Sequence, residues 1–149
     1  MQIFAVGGGG FTHPEDNYPH DAILEDHLLA LAGPMAKIRI GYIGHASNDN
    51  PAKIDTFYKR FNGCANITSL PLGANLAEAR VFVDDLDILY VGGGATKEML
   101  DHWKKTGIDK ILIQAANSGL ILSGVSAGAI CWFSELLIGS AKDGYTLHK

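Results

Sequence analysis

The chain has 149 residues, 47% of them hydrophobic and 19% charged, which is enough for one ordinary core and excludes a disordered protein. Its net charge of −4, with the basic residues scattered, leaves no electrostatic footprint for nucleic acid. No apolar run approaches the roughly 20 residues that span a membrane, and the opening Met1 to Val6 lacks the regions of a secretory signal, so a cytoplasmic protein is expected.

Ile3 to Val6 reads as a first strand that runs into Gly7 to Gly10. Asp21 can cap a helix carrying Ile23, Leu24, His27, Leu28 and Leu31, which stops at Gly33-Pro34. Ile38 to Ile43 is a second strand. A helix from Pro51 to Phe61 follows, with Ile54, Phe57, Tyr58 and Phe61 on one face. Proline suits its first turn, where the missing N–H would be unpaired anyway. Asn66 to Leu70 is a third strand and Ala74 to Val83 a helix. Asp87 to Val91 is a buried strand broken by Gly92-Gly93-Gly94, after which Thr96 caps a helix with Met99, Leu100 and Trp103. A further helix carries Ile108, Ile111, Leu112 and Ala115, and Leu120 to Gly124 forms the next strand. After Ser126, a helix is expected from Ala127 to Ile138, ending at Gly139.

Strands alternating with helices require crossover connections, so the fold class is α/β, a three-layer arrangement with a mostly parallel sheet flanked by helices. The strand runs lack polar alternation, as expected where helices cover both faces. A single domain over 1–149 is expected, with no linker or repeat. In such sheets function gathers at the carboxyl ends of the strands. The glycine clusters and Ser126 fall there.

Gly124-Val125-Ser126-Ala127-Gly128 follows a strand and opens a helix. A G-x-S-x-G turn in that context is what a nucleophile elbow needs. The serine sits on a tight turn that lifts its hydroxyl above the sheet, and small neighbours let strand and helix approach. The N–H groups at the helix start, first of all that of Ala127, can stabilise an oxyanion. Cys64 and Cys131 stand far apart without a C-x-x-C partner, against a zinc site or disulfide framework and for reduced thiols. Neither cofactor nor metal is expected.

The segment from Gly124 to Phe133 resembles the nucleophile segment of the peptidase E family, which includes aspartyl dipeptidases and cyanophycinases. Tyr90-Val91-Gly92-Gly93-Gly94-Ala95-Thr96 is similar to its glycine-triplet signature, with Ala95 where asparagine is common. Phe4 to Phe11 resembles its first strand and loop, and Ile43-Gly44-His45-Ala46-Ser47 stands where Ile-Pro-Thr-Ala-Ser is usual. The resemblance implies a serine peptidase acting on short, aspartyl-containing peptides through an acyl-enzyme. It makes Ser126 the nucleophile and assigns the second oxyanion donor to Gly93 or Gly94. It also implies an acid and then a histidine after the serine. Glu135 and Asp143 are the candidate acids, and His148 is the sole histidine that follows Ser126. The expectation is therefore that the family's histidine-bearing C-terminal segment is missing. A sheet left uncovered by such a loss would self-associate.

His13 and His45, on loops at the same sheet edge, can approach the site, though each reads as a polar loop residue; His13 and His20 flank a Pro-rich acidic loop, His27 sits on a helix, and His102 also precedes the serine. Asp16, Asp21 and Glu25 have no recognised metal-ligand spacing. A small peptide is the expected substrate. Two other readings stay open. One is a catalytically incomplete relative that acts as a binding or structural module. The other is a nucleotide binder built on Gly7 to Gly10, which fails the G-x-G-x-x-G fingerprint because position 12 is Thr12 and a loop continues through Pro14. An aspartyl substrate would want a cation, and sequence alone places none of Arg39, Arg60 and Arg80 in the site.

Overall fold

A computed structural model describes residues 1–12, 22–140 and 142–148. Strand β1 (Gln2–Val6) is followed by helix α1 (Ala22–Ala32), β2 (Arg39–Ile43), α2 (Pro51–Arg60), β3 (Asn66–Leu70) and α3 (Leu76–Asp84). Then come β4 (Ile88–Val91), α4 (Thr96–Thr106), α5 (Ile108–Asn117), β5 (Ile121–Val125), the short α6 (Ala127–Ile130), β6 (Leu136–Ser140) and β7 (Gly144–His148). The first five strands form one parallel sheet in the order β1-β5-β4-β2-β3, and β6 and β7 form an antiparallel pair.

The connections explain the layers. The chain steps one way along the sheet from β1 to β3, then returns to β4 and β5. Right-handed crossovers put the helices of the two directions on opposite faces. One face accordingly buries Leu28 and Leu29 of α1 and Phe57 and Phe61 of α2 against Ile40, Tyr42, Ile88, Tyr90 and Val125. The other buries Phe82 of α3, Met99 and Trp103 of α4 and Ile111 of α5 against Ile43, Leu89, Val91 and Leu122. Ile88 and Tyr90 thus serve one core while Leu89 and Val91 serve the other, which is why β4 reads as an unbroken apolar run. Phe57 and Phe61 lie four residues apart and are both fully buried. Each contributes about 1.5–3 kcal/mol of apolar burial, fixing α2 on the sheet.

The expected elements are present through β5, with one capping detail changed. Thr96 does not cap α4; Ala95 is the N-cap, its N–H donating to the Ala46 carbonyl at 2.7 Å, and Thr96 is the first, buried helical residue. The Asp21 cap expected for α1 lies outside the described residues. The larger correction follows Ser126. The helix expected to reach Ile138 ends at Ile130, and Leu136–Ser140 instead pairs with Gly144–His148. Leu136, Leu137 and Ile138 alternate buried, exposed and half-buried, as a strand's side chains do. Asp143-Gly144, with Gly144 at φ 80, supplies the turn. Glu135 is therefore an exposed residue just before β6 and not part of a helix.

Two close fits hold the carboxyl edge of the sheet. A Cβ placed on Gly128 would fall 1.9 Å from the Val91 carbonyl oxygen, and one on Gly124 would fall 2.4 Å from the Gly128 oxygen. Only hydrogen fits there, so α6 lies directly on the ends of β4 and β5. The second fit is His45, 3% exposed in a 3-10 turn at the end of β2. Its Nδ1 accepts the Trp103 indole N–H at 2.9 Å, which leaves Nε2 to donate to the Leu70 carbonyl at 3.1 Å. This neutral tautomer ties β2, β3 and α4 together. Burial holds the imidazole below its ordinary pKa, partly offset by the field of Asp49.

Gly128→Ala is expected to destabilise the chain by about 1–3 kcal/mol through overpacking. Gly73→Ala, where an added Cβ meets nothing, should change stability by less than about 0.5 kcal/mol. Paired thermal melts check both. The His45 imidazole predicts a pH effect of definite sign. Because its folded pKa is depressed, the unfolded chain takes up the proton first, so this contribution is complete above about pH 6.5 and is lost as pH falls toward the folded pKa. Urea unfolding at about pH 7.5 and about pH 5 should show the loss, and His45→Gln should reduce it.

Candidate active site

The site is built by four strand ends and one helix. β1 runs into Gly7 and Gly8, β2 contributes Tyr42, β4 runs into Gly92, Gly93 and Gly94, and β5 delivers Val125 and Ser126. The first turn of α2 closes one side with Ala52, Lys53 and Thr56, and Phe11 and Thr12 close another. Together these residues line a cavity of about 600 Å³, within the range that encloses small ligands. It sits outside the carboxyl ends of the strands, where the helices following β2 and β4 leave for opposite faces of the sheet.

Ser126 is the strained residue of the edge. Its backbone stands at φ 54, ψ −115. Asn48, also at positive φ, lies in the ordinary left-handed well at φ 50, ψ 46, which asparagine tolerates. Ser126 falls outside that well, at a cost of about 1–3 kcal/mol. Its N–H donates to the Val6 carbonyl at 3.0 Å, pinning the turn to β1, and its carbonyl accepts from Ala129 and Ile130 to start α6. The serine is exposed between buried Val125 and Ala127. Four helical residues are too few for a summed dipole, so what α6 offers is its first N–H groups rather than the macrodipole of a long helix.

The glycine triplet faces this turn. A Cβ on Gly93 would stand 3.1 Å from Ser126 Cβ and 3.7 Å from Ser126 Oγ, so Gly93 is in contact with the serine. Gly94 stands at φ 152, and a Cβ there would meet the Ala46 carbonyl oxygen at 2.0 Å. The Gly92 N–H donates to Ile43 and the Ala95 N–H to Ala46, while those of Gly93 and Gly94 donate to no described carbonyl. The Gly93 carbonyl accepts from Lys53 Nζ at 3.0 Å. Behind the triplet lies Tyr42, whose phenol is pushed up to about 12 by burial and then by Asp49. An aromatic group of Phe11, Tyr42, Phe57, Phe61 and Tyr90 backs this wall. Buried Glu25 steadies Phe11, accepting its N–H at 3.4 Å, with Arg60 Nε 3.6 Å from the other carboxylate oxygen.

Of the residues singled out from sequence, Ser126, Gly93 and Gly94 share the cavity and Ala127 adjoins it. Asp143 lies in the turn between β6 and β7, and neither it nor Glu135 lines the cavity. His148 pairs with Leu136 and lies within the field of Asp101 on α4. His45 is buried in its structural role, His102 packs edge-on against it, and His27 is exposed. His13, Asp16, His20 and Asp21 lie outside the described residues. Lys53, Thr56 and Tyr42 were not singled out from sequence. Asn50-Pro51 marks the start of α2 at the carboxyl edge, the Asn50 side chain accepting from the N–H groups of Ala52 and Lys53, but it does not place the Lys53 side chain over the cavity. Among the described residues, no helix is long and apolar enough to cross a membrane.

Known proteins resemble this chain in sequence and in fold. The chain is 37% identical over 145 residues to the uncharacterized peptidase YgaJ of Bacillus subtilis (strain 168), covering 94% of this chain and 60% of that one. It therefore spans about three fifths of that relative's length. A crystal structure of a peptidase from an acI-B1 Actinobacterium superposes with a TM-score of 0.64 at 21% identity, over 91% of this chain and 57% of the other. A protein assigned to peptidase E from Listeria monocytogenes EGD-e superposes with a TM-score of 0.57 at 24% identity, over 70% and 54%. Both show the same fold. The family model of peptidase family S51 matches residues 3–146, nearly the whole chain, and this chain belongs to that family.

Proposed function

We propose that the chain is a serine-type peptidase that hydrolyses short peptides through an acyl-enzyme, with Ser126 as the attacking residue. The observation that carries the reading is the conformation of Ser126. An exposed serine held at φ 54, ψ −115 between a strand and a helix, over a cavity, supports its reading as a nucleophile turn. Family membership supports peptidase activity in general, and the substrate preference for short aspartyl peptides is part of this proposal.

In the proposed reaction Ser126 Oγ forms a bond to the scissile carbonyl carbon, and its proton passes to a base. The carbonyl oxygen takes up the negative charge. Ala127 N–H is the first donor to it, and the unengaged N–H of Gly93 or Gly94 is the second. The C–N bond then breaks as the amine leaves with a proton, and water releases the acyl group from Ser126.

A serine needs a base to react, and the described lining of the cavity carries neither imidazole nor carboxylate. That observation favours a second reading, in which the chain holds the turn and cavity as a peptide-binding module and does not hydrolyse on its own. The acid role named for Asp143 or Glu135, the absence of nucleic-acid and membrane partners, self-association and a cytoplasmic location all remain part of the proposal.

A fluorophosphonate probe separates the readings, since labelling requires an activated serine. Mass spectrometry of the labelled chain should place the adduct on Ser126. Ser126→Ala should lose it, and any peptide hydrolysis should fall by about 10⁴- to 10⁶-fold. Labelling or hydrolysis that survives Ser126→Ala would rule out this nucleophile. A chain that binds peptides but never takes up the probe supports the module.

A further inference from the structure

The cavity beside Ser126 holds one charged side chain among its described lining residues, Lys53. Several other basic groups are engaged elsewhere among the described residues. Arg39 is held by Asp85 and Asp87, Arg60 by Glu25 and Asp26, and Arg80 reaches Gln114. Lys59 pairs with Asp55 and Lys97 with Asp101. Lys53 pairs with no carboxylate among the described residues, and its ammonium rests on the neutral Gly93 carbonyl at 3.0 Å.

An ammonium has three N–H donors, and the Gly93 carbonyl takes one. The side chain is exposed on the cavity wall, so the others are open to a ligand. Its base is firm: Asn50 caps α2, Pro51 begins it, and Phe57 and Phe61 anchor it in the core. Gly93 itself touches Ser126. A group bound by Lys53 therefore lies in the same cavity as Ser126, with Gly93 between the two side chains. Phe11 and Tyr42 line the same cavity, and a charge pair beside apolar groups is stronger than one in open water. Against a net charge of −4, an anionic ligand needs such a local cation.

We propose that Lys53 is a specificity-determining residue whose ammonium binds a carboxylate of the peptide next to the bond that Ser126 attacks. The assignment rests on Ser126 being the reacting residue. The carboxylate can belong to an acidic side chain or to the peptide's own C-terminus, since both present the same two oxygens.

The test is equilibrium binding to the full chain carrying Ser126→Ala, measured by titration calorimetry at low salt. Three tetrapeptides serve as probes: one with Asp and both ends capped, its capped Asn counterpart, and the Asn peptide with a free C-terminal carboxylate. With Lys53 present, at least one carboxylate peptide should bind about 10-fold or more tightly than the capped Asn peptide. Which of the two does so identifies the source. The preference should persist in Lys53→Arg and vanish in Lys53→Met, a change at an exposed side chain that leaves the core intact. Three results would overturn the proposal: an undiminished preference in Lys53→Met, no preference with Lys53 in place, or an equal weakening of all three peptides in Lys53→Met. The last would make the lysine a support for the Gly93 turn. Because the readout is binding, it stands apart from the reaction: an unlabelled Ser126 with a Lys53-dependent preference would remove the peptidase reading and keep the subsite.

Discussion

The contact of Gly128 with the Val91 carbonyl sets the geometry on which the site depends. Seated on the ends of β4 and β5 with no side chain between, α6 leaves the chain only Ser126 in which to reverse direction. The reversal forces Ser126 to φ 54, ψ −115, and the Val6 carbonyl holds it there through the Ser126 N–H. The same approach brings Gly93 against the serine. One packing constraint thus produces the strained residue, its exposure and its neighbouring N–H groups together. The strain is local, and the two apolar layers on the sheet stabilise it.

The rest of the carboxyl edge is held by polar fits to neutral groups. Ala95 N–H bonds to Ala46, Gly94 lies against the same carbonyl, and Ala46 follows His45, which links Leu70 to Trp103. The position of Gly94 therefore depends on a buried imidazole in one tautomer. The cavity that results is walled by backbone and aromatic rings, with Lys53 as the charge on its described lining. On the reading proposed above, such a site would select by shape and by one ion pair and would present preorganised N–H donors where an oxyanion forms.

Much of this was legible in the sequence, and the limits have physical causes. The strands and the helices before β5 show in apolar runs and periodicity because two core faces demand them. The Ser126 turn shows because close packing needs glycine at 124 and 128. The segment after Ile130 departs from its expected helix because Ile130-Cys131-Trp132-Phe133 and Leu136-Leu137-Ile138 are parted only by Ser134-Glu135, a near-continuous apolar stretch that periodicity alone cannot divide. Asp143-Gly144 was the available turn signal. Lys53 was not legible, since its place depends on how α2 lies across the ends of β2 and β4, a tertiary fact. The buried role of His45 was equally hidden, because its partners, Leu70 and Trp103, come from distant parts of the chain.

The central claim is that the Ser126 turn and the glycine triplet form one oxyanion-binding arrangement. A crystal structure of the chain with a phosphonate bonded to Ser126 Oγ tests it most directly. The account predicts the phosphonyl oxygen about 2.7–3.1 Å from the Ala127 nitrogen and from the nitrogen of Gly93 or Gly94. A phosphonyl oxygen turned to solvent, with both sets of N–H groups unengaged, would contradict it.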